Sequence, residues 1–178
     1  MTEKNPWQTT NSKLKYENPW IRVDEHRVIN PGGADGIYGV VHFKNEATAV
    51  VALDDDNHIW LVGQYRYALN EYSWELPEGG TGGGDPLEAA KRELKEEAGL
   101  VAQHWRFLQR VHLSNSVSDE VGHIYLARNI SIGEAAPEEC EELKVKRIAL
   151  KEAYEMVCRG EITDSLSVIG ILRVFGSV

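Results

Sequence analysis

Residues 84–100 read GDPLEAAKRELKEEAGL, and the interpretation of the rest of the chain turns on this segment. Asp85 suits an N-cap, Pro86 occupies the first helical position, and Glu88 falls three residues after the cap, as in a capping box. Gly99 supplies the stop. Between them Leu87, Ala90, Leu94 and Ala98 recur at helical spacing and form a narrow apolar stripe. A helix follows, and it brings Glu93, Glu96 and Glu97 onto one side. Carboxylates at these spacings repel one another by about a few tenths of a kcal/mol per pair. They also lie near the negative end of the helix dipole, where acids are unfavourable. Two readings compete. The face is either solvated acidic surface or a seat for a hard cation such as Mg²⁺, which prefers carboxylate oxygens.

Outward from the helix the pattern is mostly β. WIRVDEHRVIN (20–30) alternates as a strand and ends in the turn PGG. IYGVVHFKN, ATAVVALDDDNHIWLVGQYRY and YSWELPEGG read as further strands, with DDDN a hairpin turn, and GGTGGG connects to the helix. Strands are expected near 103–113, 121–128 and 143–148, the last after the acidic run GEAAPEECEE. The segments LKEAYEMVCRG and TDSLSVIGILRVF close the chain as helices. This order predicts a mixed sheet sandwiched between helices, in one domain spanning 1–178.

Composition narrows the class. A 42% hydrophobic and 26% charged chain is that of an ordinary globular protein. The net charge of -9 argues against a nucleic-acid-coating surface, yet a small anionic substrate remains compatible, because bound cations can invert a local field. No apolar run is long enough to span a membrane, and the first residues, MTEKNPWQTTNSK, lack a signal-peptide core. Cys140 and Cys158, without a C-x-x-C pair, indicate neither a disulfide framework nor a zinc site. A cytoplasmic location is expected. The six histidines show no metal-ligand spacing and read as scattered polar residues. EGGTGGG lacks the G-K-[ST] of a phosphate loop, and SNSVSDE lacks a nucleophile elbow.

The combination WELPEGG…RELKEEAGL resembles the signature of the Nudix hydrolase family, G-x5-E-x7-R-E-U-x-E-E-x-G-U with U a bulky aliphatic residue. Arg92, Glu93, Leu94, Glu96, Glu97, Gly99 and Leu100 match its second half throughout. ELPEGG and AAKREL are similar to the sugar-nucleotide branch. The first half departs: Gly84 stands where the signature's first glutamate belongs, and aligning Gly79 with its first glycine leaves the loop one residue short. In the family that glutamate buttresses the arginine. Glu88, four residues before Arg92, is the expected substitute, with Asp85 an alternative.

The resemblance implies a Nudix-like α/β/α sandwich with a mixed sheet and an N-terminal β extension over residues 1–45 that contributes to a homodimer. It implies Mg²⁺-dependent hydrolysis, with Mn²⁺ as a substitute, of nucleoside diphosphate sugars such as ADP-ribose or GDP-mannose. The products would be a nucleoside monophosphate and a sugar phosphate. Glu93, Glu96, Glu97, Glu78 and Glu141 are the implied metal ligands, and Glu139, with Arg92, the catalytic residues, Glu139 as general base. Arg66 in VGQYRY, Glu75 and Trp20 are the implied substrate contacts, Trp20 lying near the nucleobase. ADP-ribose-hydrolysing members usually carry proline sixteen residues beyond the signature, where this chain has Ser116. SNSVSDEVGHIYLA and GEITDSLSV look closer to bacterial nucleotide-sugar hydrolases. The alternative from another class is a non-catalytic Nudix-fold nucleotide sensor, against which the intact REL-x-EE speaks.

Overall fold

A computed structural model describes residues 4–133 and 143–177. The chain divides into two compact units, one of residues up to Asn45 with His112–Glu120, the other of Glu46–Val111 and Val121–Val178.

The first unit is an antiparallel sheet in the order β1(Gln8–Glu17), β2(Ile21–Ile29), β3(Asp35–Phe43). β2 alternates as expected, burying Asp24 and Val28. The β2–β3 turn is an Asn30 cap, whose side-chain oxygen accepts from the N–H groups of Gly32 and Ala34. β1 was not predicted from its pattern. All ten of its residues are exposed, so no face of it carries the apolar alternation by which a strand is recognised. Residues His112–Glu120 join this unit through the Val41 N–H, which donates to Val117 O at 2.8 Å, and through Asp119, which accepts from the Phe43 N–H at 2.9 Å.

The second unit holds two sheets and three helices. β4(Ala47–Ala52) is parallel to β9(Val121–Ile132) and antiparallel to β7(Glu78–Gly80), with β8(Leu100–His112) beside β9. The second sheet is antiparallel, in the order β10(Lys144–Ala149), β5(His58–Arg66), β6(Glu71–Glu75). β4 is buried from Thr48 to Ala52, as a central strand covered on both faces must be. Val50 and Ala52 pack with Tyr125 and Ala127 against Ala90 and Leu94 of α1(Pro86–Ala98). On the opposite face Val51 and Ile124 meet α3(Ser165–Phe175) at Gly170, where a Cβ would lie 2.8 Å from Leu76 and 3.1 Å from Val51. A mixed sheet between helices is therefore observed. α2(Leu150–Cys158) packs on α3 and β10.

The α1 punctuation is as read. Asp85 Oδ1 accepts from the N–H groups of Leu87 and Glu88, and Gly99 closes the helix in the left-handed region at φ 66°. The DDDN hairpin is held by Asp54, which accepts from the Asp56 and His58 N–H groups, with Asn57 at φ 58°.

Candidate active site

α1 hangs its glutamate side over β7. Glu97 is only 4% exposed, and its Oε2 accepts the Glu78 N–H at 2.9 Å. Glu93 is also largely covered, with 14% of its side chain accessible. The solvated-face reading therefore fails for two of the three glutamates. Burying carboxylates is costly without donors or cations to satisfy them, and each has such a partner. Arg92 binds Glu93, lies 3.3 Å from Glu96, and donates to Gly80 O at 2.7 Å.

Those contacts correct the expectation for Arg92. Neither Glu88 nor Asp85 buttresses it: Glu88 accepts from Lys91 at 2.7 Å, and Asp85 caps the helix. The reciprocal half of a capping box is likewise replaced by this Glu88–Lys91 pair. With Gly84 in place of the signature glutamate, Arg92 is braced by the Gly80 carbonyl and by Glu93 and Glu96 themselves. The connector between β7 and α1 turns through Gly82 and Gly83, at φ 61° and 78°, conformations that suit glycine.

Gly79 explains how α1 and β7 approach so closely. A Cβ built there would overlap the Glu93 carboxylate, with Oε2 at 2.7 Å. The backbone of β7 thus forms a cradle that only glycine leaves open for the carboxylate.

A second cluster lies on the other side of Glu78. Arg66, at the end of β5, forks onto Glu75 of β6, with Nε 2.9 and 3.0 Å from its two oxygens, and reaches Glu78 Oε1 at 2.8 Å. Burial disfavours the guanidinium charge, but the Glu75 hydrogen bond and the Glu75 and Glu78 charges outweigh it, so Arg66 is held firmly protonated. Glu78 is in the opposite condition. Burial, then the Asp164 and Glu75 charges, push its carboxyl well above the ordinary range against the pull of Arg66. Its buried Oε2 receives no donor among the described residues. Two carboxylates side by side with no donor between them need a proton or a cation. These groups line a cavity of about 430 Å³ with Ser73, Thr163 and Asp164.

Asp164 is the site residue missed in the sequence. It caps α3, accepting from the Ser167 N–H at 2.8 Å, and Ser167 Oγ in turn accepts the Leu76 N–H at 2.8 Å. An N-cap signal before SLSVIG was legible; its apposition to Glu78, 86 residues away in sequence, was not.

The residues fit a hard divalent cation. The donor set is wholly oxygen, Glu78 Oε2 lacks a partner among the described residues, and Gly79 lets the Glu93 carboxylate lie directly against the β7 backbone. Arg66, Glu75 and Glu78 come together, as do Arg92, Glu93 and Glu96, and the Glu78–Glu97 hydrogen bond links the two groups. Trp20 belongs to the other unit and is 69% exposed. Glu139 and Glu141 lie outside the described residues.

An α/β/α sandwich with a glutamate helix against an arginine-clamped carboxylate strand defines a hydrolase class that handles anionic phosphates with divalent cations. The NUDIX domain model matches residues 44–164, and the nucleoside diphosphate sugar hydrolase N-terminal domain matches residues 7–41. An ADP-ribose pyrophosphatase of Mycobacterium tuberculosis is 34% identical over 177 residues, covering 96% of this chain and 84% of that protein. One from Bacillus subtilis is 32% identical over 128 residues, 70% of this chain and 69% of the relative. The crystal structure of an ADP compounds hydrolase superposes with a TM-score of 0.87 at 21% identity, over 99% of this chain and 96% of the other. The chain belongs to the Nudix family and is a Nudix hydrolase.

Proposed function

We propose that this Nudix hydrolase cleaves the pyrophosphate bond of nucleoside diphosphate sugars, such as ADP-ribose or GDP-mannose, to a nucleoside monophosphate and a sugar phosphate. The observation that carries the reading is the junction at Glu78. There a carboxylate whose buried oxygen has no partner among the described residues meets an arginine fork on one side and the α1 glutamates on the other.

Glu93, Glu96, Glu97 and Glu78 are the residues that would hold Mg²⁺, or Mn²⁺ in its place, with Glu141 as a further ligand. A dication bound there supplies charge neutralisation for the pyrophosphate and lowers the pKa of a water. Arg92 positions Glu93 and Glu96, and Gly79 keeps room for Glu93. Arg66 is charged, planar and open to the cavity, which suits a phosphate oxygen. Glu75 holds the Arg66 fork in orientation. Glu139 is the proposed general base, taking a proton from the attacking water as its oxygen adds to one phosphorus and the bridging P–O bond breaks. Trp20, with its ring exposed, is proposed to stack near the nucleobase in a homodimer. The proposed setting is cytoplasmic; no helix among the described residues is long and apolar enough to cross a membrane.

A panel of ADP-ribose, GDP-mannose and UDP-glucose at fixed Mg²⁺ tests the reading. Phosphomonoester release from at least one is expected. Tight binding of the panel without turnover would replace it with the nucleotide sensor.

A further inference from the structure

The N-terminal unit contains a cluster that the hydrolytic chemistry does not use. Asp24 and His26 lie two residues apart on β2 and so point to the same side of the sheet. His42 on β3 pairs with Arg22 in the strand register, one diagonal step from Asp24. One ligand atom from each of Asp24, His26 and His42 lies within 4.8 Å of the others. The histidines are sixteen residues apart in the chain, so no sequence spacing announces them; only the β2–β3 register brings them together.

The orientation of His42 is decisive. Its Nδ1 is 2.6 Å from Asp119 Oδ2, and Asp119 Oδ1 accepts the Phe43 N–H at 2.9 Å. A ring nitrogen facing a carboxylate is the protonated one, so in the neutral ring the lone pair sits on Nε2. That atom is 3.6 Å from Asp24 Oδ2, too far for a hydrogen bond. It is close to the ~3.3–3.5 Å that separates two ligands sharing a tetrahedral ion with bonds of about 2.0–2.2 Å. A carboxylate behind the far nitrogen of a ligating histidine is also the usual outer support of such sites. Asp24 is 4% exposed and carries a fork from Arg22, at 2.9 and 3.2 Å. Each carboxylate oxygen has two lone pairs, so the fork still leaves acceptor capacity toward His42.

We propose that Asp24, His26 and His42 form a binding site for a transition-metal ion of the Zn²⁺ type, with Asp119 as the residue that orients His42. Two imidazole nitrogens and one carboxylate suit Zn²⁺ or Co²⁺ and disfavour Mg²⁺, which takes oxygen ligands. The fourth position goes to water. Small rotations of His26 and His42 bring the donors to bonding distance. The site is chemically distinct from the all-oxygen set on α1 and does not depend on the substrate assigned to it.

The test is Zn²⁺ and Co²⁺ titration of the full chain, followed by metal counting after dialysis. A Glu93→Gln/Glu97→Gln variant removes the competing oxygen site, and it should retain one equivalent of Zn²⁺ per chain. Adding His26→Gln or His42→Gln should abolish that equivalent and the intense visible absorption that tetrahedral Co²⁺ with nitrogen ligands gives. Asp119→Asn, which keeps the acceptor for the Phe43 N–H, should retain the equivalent at about ten- to a hundredfold weaker affinity. Circular dichroism verifies that each variant folds. Should one not fold, Co²⁺ absorption of the otherwise native chain decides the matter, since four-coordinate ligation gives intense bands and an octahedral all-oxygen site gives only weak ones. No Zn²⁺ in the Glu93→Gln/Glu97→Gln variant, or equal Zn²⁺ with and without His26→Gln, overturns the proposal. His42 is then only a histidine bridging two carboxylates.

Discussion

Gly79→Ala isolates the geometry of the glutamate helix without removing any ionisable group. Gly79 has no positive φ, so alanine is compatible with its backbone and carries no Ramachandran strain. The added methyl lands on Glu93, with Oε2 at 2.7 Å. Glu93 Cδ and Oε1 lie nearer still, and ordinary van der Waals contact begins near 3.4 Å, so the carboxylate must retreat by about 1 Å, with an off-rotamer cost of roughly 0.5–1.5 kcal/mol. Reduced entropy of the unfolded chain returns roughly 0.4–1 kcal/mol. The two nearly cancel, and Tm should move by only a few degrees. Activity should not be so lenient, because misplacing a working group by about 1 Å costs on the order of a hundredfold. The assay is phosphomonoester release across a Mg²⁺ titration, with Gly39→Ala as control, since a Cβ there meets nothing within 4 Å. A large fall in kcat with a raised Mg²⁺ requirement is expected. Wild-type kcat and Mg²⁺ dependence in a folded Gly79→Ala protein would refute the role assigned to Glu93.

Glu97→Gln preserves an acceptor for the Glu78 N–H and relieves charge repulsion on α1, so folding should survive while hydrolysis falls by at least about a hundredfold; near-normal turnover at saturating Mg²⁺ removes Glu97 from the ligand set. Glu139→Gln should lower kcat by about a hundredfold with KM little changed, whereas Glu141→Gln should chiefly raise the Mg²⁺ requirement; wild-type rates in both would move the base elsewhere. Glu78 gives a pH signature in EDTA. Its folded carboxyl is raised above the ordinary 4.5, so the folded state holds the proton longer and the associated stability is present below pH 4.5 and lost as pH rises through the folded value. Denaturant titrations should therefore show Glu78→Gln gaining on wild type as pH rises above 4.5, and the gain should shrink when Mg²⁺ replaces EDTA. A pH-independent difference would mean that burial and the Asp164 and Glu75 charges do not hold Glu78 above the ordinary carboxylate range.

Much of this was legible in local pattern. The caps at Asp85 and Gly99, the hairpin at Asp54–Asn57 and the buried run of β4 are all short-range signals, and each corresponds to an observed hydrogen bond, backbone angle or buried strand. Spacing on one helix gives Glu93, Glu96 and Glu97 a common side, but it was the resemblance of REL-x-EE to the Nudix signature that singled them out together with Arg92. What escaped the sequence was long-range. β1 is exposed on every residue, and its only large apolar side chains, Leu14 and Tyr16, are too few to leave a periodic trace. The apposition of Asp164 to Glu78 and the Arg66 fork onto Glu75 depend on how strands and helices meet, which no spacing encodes. The choice of partner for Glu88 was misjudged because Lys91 and Arg92 are both within reach of one turn, and Arg92 is drawn instead to β7 and to its own neighbours Glu93 and Glu96.

The most direct test of the account is product formation from ADP-ribose in the presence of Mg²⁺, followed by EDTA and then by excess Mg²⁺. Appearance of AMP and ribose 5-phosphate in equal amounts, halted by the chelator and restored by the ion, is the result the glutamate-lined site predicts. Undiminished cleavage in EDTA, with all metal shown to be removed, would contradict it.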